Sequence, residues 1–407
     1  MKKKRYRYSK IFRDIYTFIG FVYSDLINND DNIQIILRRT RKTATCPECN
    51  RRVSLTNDWY KRTVRDYDLG PKRCYITFFE NKIRCKCGFR GMEQLDFVRP
   101  YSRCTIRFED RVANLCDKMA LSDVCKTVWL NWKTVKAIDK HYINMKKRNL
   151  VDIFPRRLGI DEVAYEKGHK YLTIVRDLDL NGVIWIGLNR RQETLDEFFD
   201  QLDDYKKSQI EMIITDMHDP YIASIEENCP NAKIVIDKFH IAKVVNKALD
   251  EIRKEEFSNA SDEERIQMKR KRFVILKRNQ NLNDKQREQL EVLMYNNNRL
   301  YQAYLLKEQI ADVLDENIMV TGLNRLEIWK QNVRRSGFKQ MEKALKTIEK
   351  YHDKIENYFK YPYTNAGSEG FNNKIGVVKR RAYGFWDLEY FMLKIYQACG
   401  GLREDSA

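Results

Sequence analysis

Glu211-Met-Ile-Ile-Thr-Asp216 is the stretch on which the fold turns. Its four central residues are apolar or β-branched with no polar alternation, the pattern of a strand buried on both faces, and it ends in an acid. Downstream, a helix carrying Tyr221, Ile222 and Ile225 leads into a second run of the same kind, Ala232-Lys-Ile-Val-Ile-Asp237. Upstream come Arg157-Leu-Gly-Ile-Asp161-Glu-Val163, Lys170-Tyr-Leu-Thr-Ile-Val-Arg176 and Gly182-Val-Ile-Trp-Ile-Gly-Leu188, with a turn at Asp179-Leu-Asn-Gly182 and an amphipathic helix over 193–202. The order β-β-β-α-β-α-β, three antiparallel strands followed by parallel crossovers, predicts a mixed sheet. The first and fourth strands each end in an aspartate, Asp161 and Asp216. If those strands are neighbours, their carboxylates meet at one edge. Asp237 also ends a buried strand.

From 241 to 361 the chain reads as long, charged helices with apolar stripes such as Leu290/Leu293/Met294 and Ile310/Val313/Leu314. After them comes Tyr363-Thr-Asn-Ala-Gly-Ser-Glu-Gly-Phe-Asn-Asn-Lys-Ile-Gly-Val-Val-Lys-Arg-Arg-Ala-Tyr-Gly-Phe385. Thr364 or Asn365 can cap a helix here, and Phe371, Ile375 and Val378 at i, i+4, i+7 form one buried stripe. Glu369 lies off that stripe, and Lys379, Arg380 and Arg381 end the helix. A carboxylate at one end and a basic cluster at the other suit a metal site beside a phosphate backbone; a solvated amphipathic helix is the plainer alternative. A last amphipathic helix carries Leu388, Phe391 and Ile395.

Before the sheet, Cys46-Pro-Glu-Cys49 and Cys85-Lys-Cys87-Gly88 flank a β-rich segment that includes Tyr75-Ile-Thr-Phe-Phe79. Two close cysteine pairs separated by strands predict two knuckles around one Zn²⁺. Asn50 and Gly88, just after each pair, tolerate the left-handed turn a knuckle needs. Unliganded thiols, or Cys74 in place of one ligand, are the alternatives. Residues 1–40 mix basic and apolar side chains as a helix or hairpin arm. Between 107 and 145, two short helices, a turn at Leu130-Asn131 and a third helix form either a helix-turn-helix or an ordinary three-helix unit. In the former, Lys133, Thr134 and Lys136 face DNA while Val135 and Ile138 pack inward.

The chain has 407 residues, 76 Lys+Arg against 58 Asp+Glu, and a net charge of +18, a balance that points to a polyanionic partner. No apolar run reaches 18 residues, so no membrane span is expected. Ten cysteines, four of them in two tight pairs, fit metal or free thiols in a reducing cytoplasm better than a disulfide scaffold.

Asp161, Asp216 and Glu369 supply the hard oxygen ligands that a pair of Mg²⁺ ions needs for phosphodiester chemistry. Three motifs then carry a resemblance: Thr215-Asp216-Met-His218-Asp-Pro220-Tyr221; Asp237-Lys-Phe-His240; and Asn365-x-x-x-Glu369-Gly-Phe-Asn372-Asn373-Lys374-Ile with Arg380-Arg-Ala-Tyr383-Gly-Phe385. They resemble the transposases of the ISL3 family of bacterial insertion sequences, whose N-terminal layout the cysteine ribbon and following helices also match. The resemblance implies an RNase H-like core, an Asp-Asp-Glu triad falling on Asp161, Asp216 and Glu369, Mg²⁺ dependence, and recognition of terminal inverted repeats. On that order Asp216 is preferred to Asp237 as the second acid, with Asp237 and His240 supporting it from behind.

The expectation is therefore an α+β multidomain protein: an N-terminal arm (1–40), zinc ribbon (41–100), helix-turn-helix (101–150), and an RNase H-like mixed-sheet α/β core (151–240 and 362–407) interrupted by an all-helical insertion (241–361). Its function is DNA transposition by two-metal phosphoryl transfer, with Mn²⁺ able to replace Mg²⁺ and Zn²⁺ structural. It is expected to bind double-stranded DNA through Lys133, Thr134, Lys136, Lys379, Arg380 and Arg381, as a homodimer, in the bacterial cytoplasm at the nucleoid. A DNA-binding regulator with an inactive core and an RNase H-like nuclease are the rival functions.

Overall fold

The computed structural model describes residues 12–400 except 13, 17, 56–57, 149–154, 167, 362–366 and 383–386, and at 148 and 367–369 it describes the backbone alone. The chain divides into two compact units, Met1–Met145 and Lys146–Ala407.

In the first unit the strands are β1 (Phe21–Asn28), β2 (Asn32–Arg39), β3 (Thr43–Thr45), β4 (Arg52–Ser54), β5 (Trp59–Leu69), β6 (Lys72–Arg84) and β7 (Arg90–Met92). The larger sheet runs β1-β2-β6-β5, with β7 on β6. Residues 21–39 are thus a hairpin, and they belong to the same sheet as β6, the strand that leads into Cys85. β2 alternates inward-facing Ile35 and Leu37, which are buried with Phe21, Val64, Ile76 and Phe78. The long β6 pairs with β5 from Lys72 to Asn81 and with β7 beside the cysteine ribbon from Lys82 to Arg84. Three helices follow: α1 (Ile106–Lys118), α2 (Leu121–Val128) and α3 (Trp132–Arg148). Trp129 takes the left-handed turn between the last two (φ 56°), and the Asn131 side chain caps α3 by accepting from Thr134 N at 2.9 Å.

In the second unit β8 (Arg157–Glu166), β9 (Lys170–Asp177), β10 (Gly182–Leu188), α4 (Gln192–Phe199), α5 (Asp204–Ser208), β11 (Met212–Thr215), α6 (Asp219–Asn228) and β12 (Lys233–Ile236) appear in the expected order. The sheet runs β10-β9-β8-β11-β12, antiparallel through the first three strands and parallel from β8 to β12. The first strand does not stop at its aspartate. β9 pairs with it from Leu158 to Glu166, so Asp161 lies mid-strand toward β9 and at an open edge toward the shorter β11.

Helices α7 (Lys238–Asn259), α8 (Asp262–Met268), α9 (Arg272–Leu276), α10 (Asp284–Asn296), α11 (Asn298–Leu314), α12 (Met319–Ser336), α13 (Lys339–Lys350) and α14 (His352–Lys360) come next. They share one apolar cluster with Leu158, Ile160, Ile213 and Val235 of the sheet. Asn357 Nδ2 donates to Ile234 O at 2.9 Å, seating the helical insertion directly on the β12 edge. The other face of the sheet, through Leu172, Ile174, Val183 and Ile186, is covered by α15 (Gly367–Arg381) and α16 (Leu388–Cys399) through Phe371, Ile375, Phe391 and Ile395. Each such side chain contributes roughly 1.5–3 kcal/mol by leaving water. The expected cap residues Thr364 and Asn365 and the Tyr383-Gly-Phe385 tail lie outside the described residues.

Candidate active site

Three carboxylates end up side by side at one end of the sheet. The parallel register pairs Ile214 with Gly159 and Thr215 with Ile236. Extending the first by two residues and the second by one sets Asp216 between Asp161 and Asp237. Asp161 pairs with Ile174, so its side chain lies on the face that α15 covers. The contact is direct: Asn372 Nδ2 donates to Asp161 Oδ2 at 3.2 Å, and Glu162 N donates to its Oδ1 at 2.8 Å. Asn372 is three residues after Glu369, on the same side of the helix. Glu369 itself lies in α15, its side chain outside the described atoms.

Burial is the dominant force on the other two acids. Desolvation pushes the Asp216 carboxyl above its ordinary range; His240 and His218 pull it back, and Glu162 and Asp161 add to the rise. Asp237 is likewise pushed up by burial and then by Asp161, against the Phe239 backbone N–H and His240. Its Oδ1 accepts from Phe239 N at 3.1 Å and caps α7. Asp216 Oδ1 is buried and has no hydrogen-bond partner among the described residues. A buried carboxylate oxygen left unsatisfied is costly unless a cation meets it, so the donor set fits a hard divalent ion. Behind the acids, Arg176 is buried at 2 % exposure, in the electrostatic reach of Asp161 and Asp237, and its guanidinium lies 4.4 Å from the Phe371 ring centroid. Sequence reasoning passed over Arg176; a charged residue at the end of an apolar strand was its one signal.

The cysteine site closes where it was expected. The four Sγ atoms of Cys46, Cys49, Cys85 and Cys87 lie within 4.8 Å of one another, and they are the one group of three or more such ligands among the described residues. Cys46–Cys87 and Cys49–Cys85 are separated by 3.7 and 3.5 Å. A tetrahedron with Zn–S of about 2.3 Å has edges of about 3.8 Å. Asn50 (φ 56°) and Gly88 (φ 96°) take the left-handed positions. The Cys87 backbone N–H and the neighbouring thiols draw the Cys85 thiol down while the same thiol contacts push Cys87 up, so the cluster favours a thiolate at Cys85 first. Cys74 is no substitute ligand: it is fully buried in the larger sheet, with its Sγ 3.6 Å from Tyr16 Oη.

In the helical unit Val135 and Ile138 are buried and Lys133 is exposed, while Thr134 and Lys136 are half-buried, the Lys136 ammonium 4.8 Å from the Trp132 ring. Lys379 is half-buried, and Arg380 and Arg381 are exposed at the end of α15.

The family model described as "Transposase" of the ISL3 type matches residues 158–395, more than half of the chain. The chain belongs to the ISL3 family of transposases. Two further models agree: the helix-turn-helix domain of transposase family ISL3 over residues 93–143, and the zinc finger of the IS204/IS1001/IS1096/IS1165 transposases over 42–87. The transposase for insertion sequence element IS1001 of Bordetella parapertussis is 29% identical over 373 residues, covering 91% of this chain and 92% of that protein. The transposase for IS1557 of Mycobacterium tuberculosis is 27% identical over 395 residues, covering 87% and 86%. This ISL3 transposase therefore combines a zinc ribbon, a DNA-binding helix-turn-helix and a DNA-cleaving and -joining core. No helix of its described residues is long and apolar enough to cross a membrane.

Proposed function

We propose that the enzyme binds the terminal inverted repeats of an insertion sequence, cleaves there, and joins the freed 3′-hydroxyl to target DNA, with Asp161, Asp216 and Glu369 as the catalytic carboxylates. The observation that carries this is the in-register placement of Asp161 and Asp216 under the helix that bears Glu369, with an unsatisfied Asp216 oxygen turned inward. Two Mg²⁺ ions held there, or Mn²⁺ in their place, would supply Lewis-acid stabilisation of the attacking and leaving oxygens. The protein's own residues do the rest. Asp161 and Asp216 would offer their carboxylate oxygens to the cation, and the rigid strands set their spacing. Asn372 fixes the rotamer of Asp161 through its 3.2 Å bond. His240 offsets the negative charge around Asp216 and acts on Asp237 in the same sense, so it supports both acids from behind. Arg176, pinned to Phe371, keeps α15 against the acids.

Lys133, Thr134 and Lys136 contact the end DNA in this reading, and Lys379, Arg380 and Arg381 grip backbone beside the metals; such contacts weaken steeply with salt. The ribbon over 41–100 and the helices over 101–150 act as the end-binding module, and 151–240 with 362–407 as the core around the helical insertion of 241–361. Two ends must be brought together, so the DNA-bound form is a homodimer, working on DNA in the cytoplasm. The test is a strand-transfer assay with a labelled end duplex and a target plasmid. A joined product, dependent on divalent metal, supports transposition. Cleavage with no joined product makes the protein a nuclease, and binding with no cleavage makes it a regulator.

A further inference from the structure

A cavity of about 840 Å³ opens at the same end of the sheet as the acids, on the opposite face. Asp161 and Glu162 alternate across β8, so Asp161 faces α15 and Glu162 lies on the opposite face, the one that carries Tyr171 of the cavity lining. Glu162 holds Arg190 at its rim at 3.3 Å, and His218, two residues past Asp216, forms part of its lining. Arg191, Tyr171 and His169 complete the cationic and aromatic wall.

The wall is a built one. His169 and Asn189 both sit in left-handed backbone conformations (φ 62° and 71°) on the cavity's edge. Strained positions of that kind persist only where the surroundings hold them, and they concentrate at functional sites. Here Asn189 N donates to Tyr171 O at 2.9 Å, and Thr173 Oγ1 donates to Asn189 O at 2.6 Å. Thr173 is in turn 2.6 Å from Tyr221 Oη, which ties the loop to α6. The result is that Arg190 and Arg191 are presented together. Arg190 stacks on Tyr171, its guanidinium 4.5 Å from the ring centroid. Arg191 is exposed and has no acidic partner within 4 Å among the described residues. Two acids share the lining, but Asp219 is already neutralised by Lys350 and by Tyr351 Oη at 2.6 Å, leaving Glu193 at the rim.

A volume of 840 Å³ corresponds to a cube roughly 9.4 Å on an edge. That is room for a few nucleotides of one strand, far less than a turn of duplex occupies. Arg191 is the cation left for a phosphate, and the exposed His169 ring and the Arg190 guanidinium plane are the flat faces left for a base, the pairing of charge and stacking that holds a single strand. Resting on the transposase reading above, we propose that this cavity receives an unpaired stretch of DNA next to the bond being cut, so that the strands of the end are separated as the scissile phosphate meets the carboxylates.

The experiment measures binding alone, with the full-length protein and no divalent metal. Fluorescence anisotropy compares a blunt duplex, the same duplex ending in a six-nucleotide unpaired fork, and the single strand. The wild type is expected to bind the fork about tenfold more tightly than the blunt duplex, a difference within what one or two stacked bases supply. Arg191→Glu and His169→Ala, both at exposed positions, are expected to erase that preference while leaving blunt-duplex affinity within about twofold. Equal binding of fork and blunt duplex by the wild type overturns the proposal, as does a loss in Arg191→Glu that is the same for both probes. Neither of these outcomes touches the transposase reading, which stands or falls on strand transfer.

Discussion

The cysteine ribbon gathers four thiols around one metal position, and the carboxylate cleft, proposed above to hold divalent ions, differs from it in nearly every physical respect. The ribbon's ligands come from two turns 36–41 residues apart, and its four Sγ atoms already satisfy a tetrahedron. Nothing there is left for a substrate. The cleft draws Asp161 and the Asn372 helix together across 211 residues, and leaves Asp216 Oδ1 buried without a partner. A closed set of soft ligands holds a fold together, whereas an open set of hard ligands does chemistry.

The sharpest way to break this contrast is to remove one ribbon ligand. Cys49→Ser should abolish Zn²⁺ binding, measured as zinc per chain, and unfold the ribbon, because structural zinc contributes on the order of 10–16 kcal/mol of binding free energy to folding. The second unit should keep its thermal transition. Loss of both transitions together would mean the two regions are not independent.

On the cleft side, Phe371→Ala removes the ring that anchors α15 to the sheet. It should cost about 3–5 kcal/mol in denaturant unfolding of the second unit, and it should lower cleavage further by freeing Glu369 and Asn372.

Asp216→Asn should do the opposite to stability. Its folded carboxyl is raised by desolvation, so the proton is favoured in the fold. The stability this gives is fully present below the unfolded value and is lost as pH rises through the raised one. At pH 7.5 without metal the variant should therefore melt a few degrees higher than wild type, about 2–4 °C per kcal/mol for a unit this size. The difference should vanish near about pH 4, where wild type is protonated too. The ribbon cysteines offer no such gain, since their substitution removes a bound metal's contribution.

The smallest effect belongs to the helix-turn-helix. Lys133→Ala should reduce the slope of log K against log salt by about 0.9 and weaken binding to all sequences alike.

Much of this contrast was legible from residues alone. Runs such as Glu211-Met-Ile-Ile-Thr-Asp216 have no polar alternation, so the succession of strands and helices could be read directly, though not that the Asp161 and Asp216 strands are neighbours, and Asn50 and Gly88 announced the knuckle turns because few residues tolerate a positive φ. What could not be read depends on pairing between distant segments. The length of β8 beyond Asp161 is set by β9, and the alignment of Asp237 with Asp216 is set by the β11–β12 register. The cation wall of Arg190 and Arg191 depends on a loop pinned through Thr173 and Tyr221, which no local pattern marks. The hairpin at 21–39 looked like an arm because its partner, β6, comes more than thirty residues later.

The most direct measurement is metal-dependent cleavage of a terminal-repeat duplex by wild type, Asp161→Asn, Asp216→Asn, Asp237→Asn and Glu369→Gln, with binding measured in parallel. The account predicts that all five bind alike. Asp161→Asn, Asp216→Asn and Glu369→Gln should lose cleavage by on the order of a thousandfold or more, equivalent to about 4 kcal/mol of transition-state stabilisation, while Asp237→Asn keeps part of it. Full activity in Asp216→Asn together with none in Asp237→Asn would contradict it, and would move the second catalytic carboxylate one strand along the sheet.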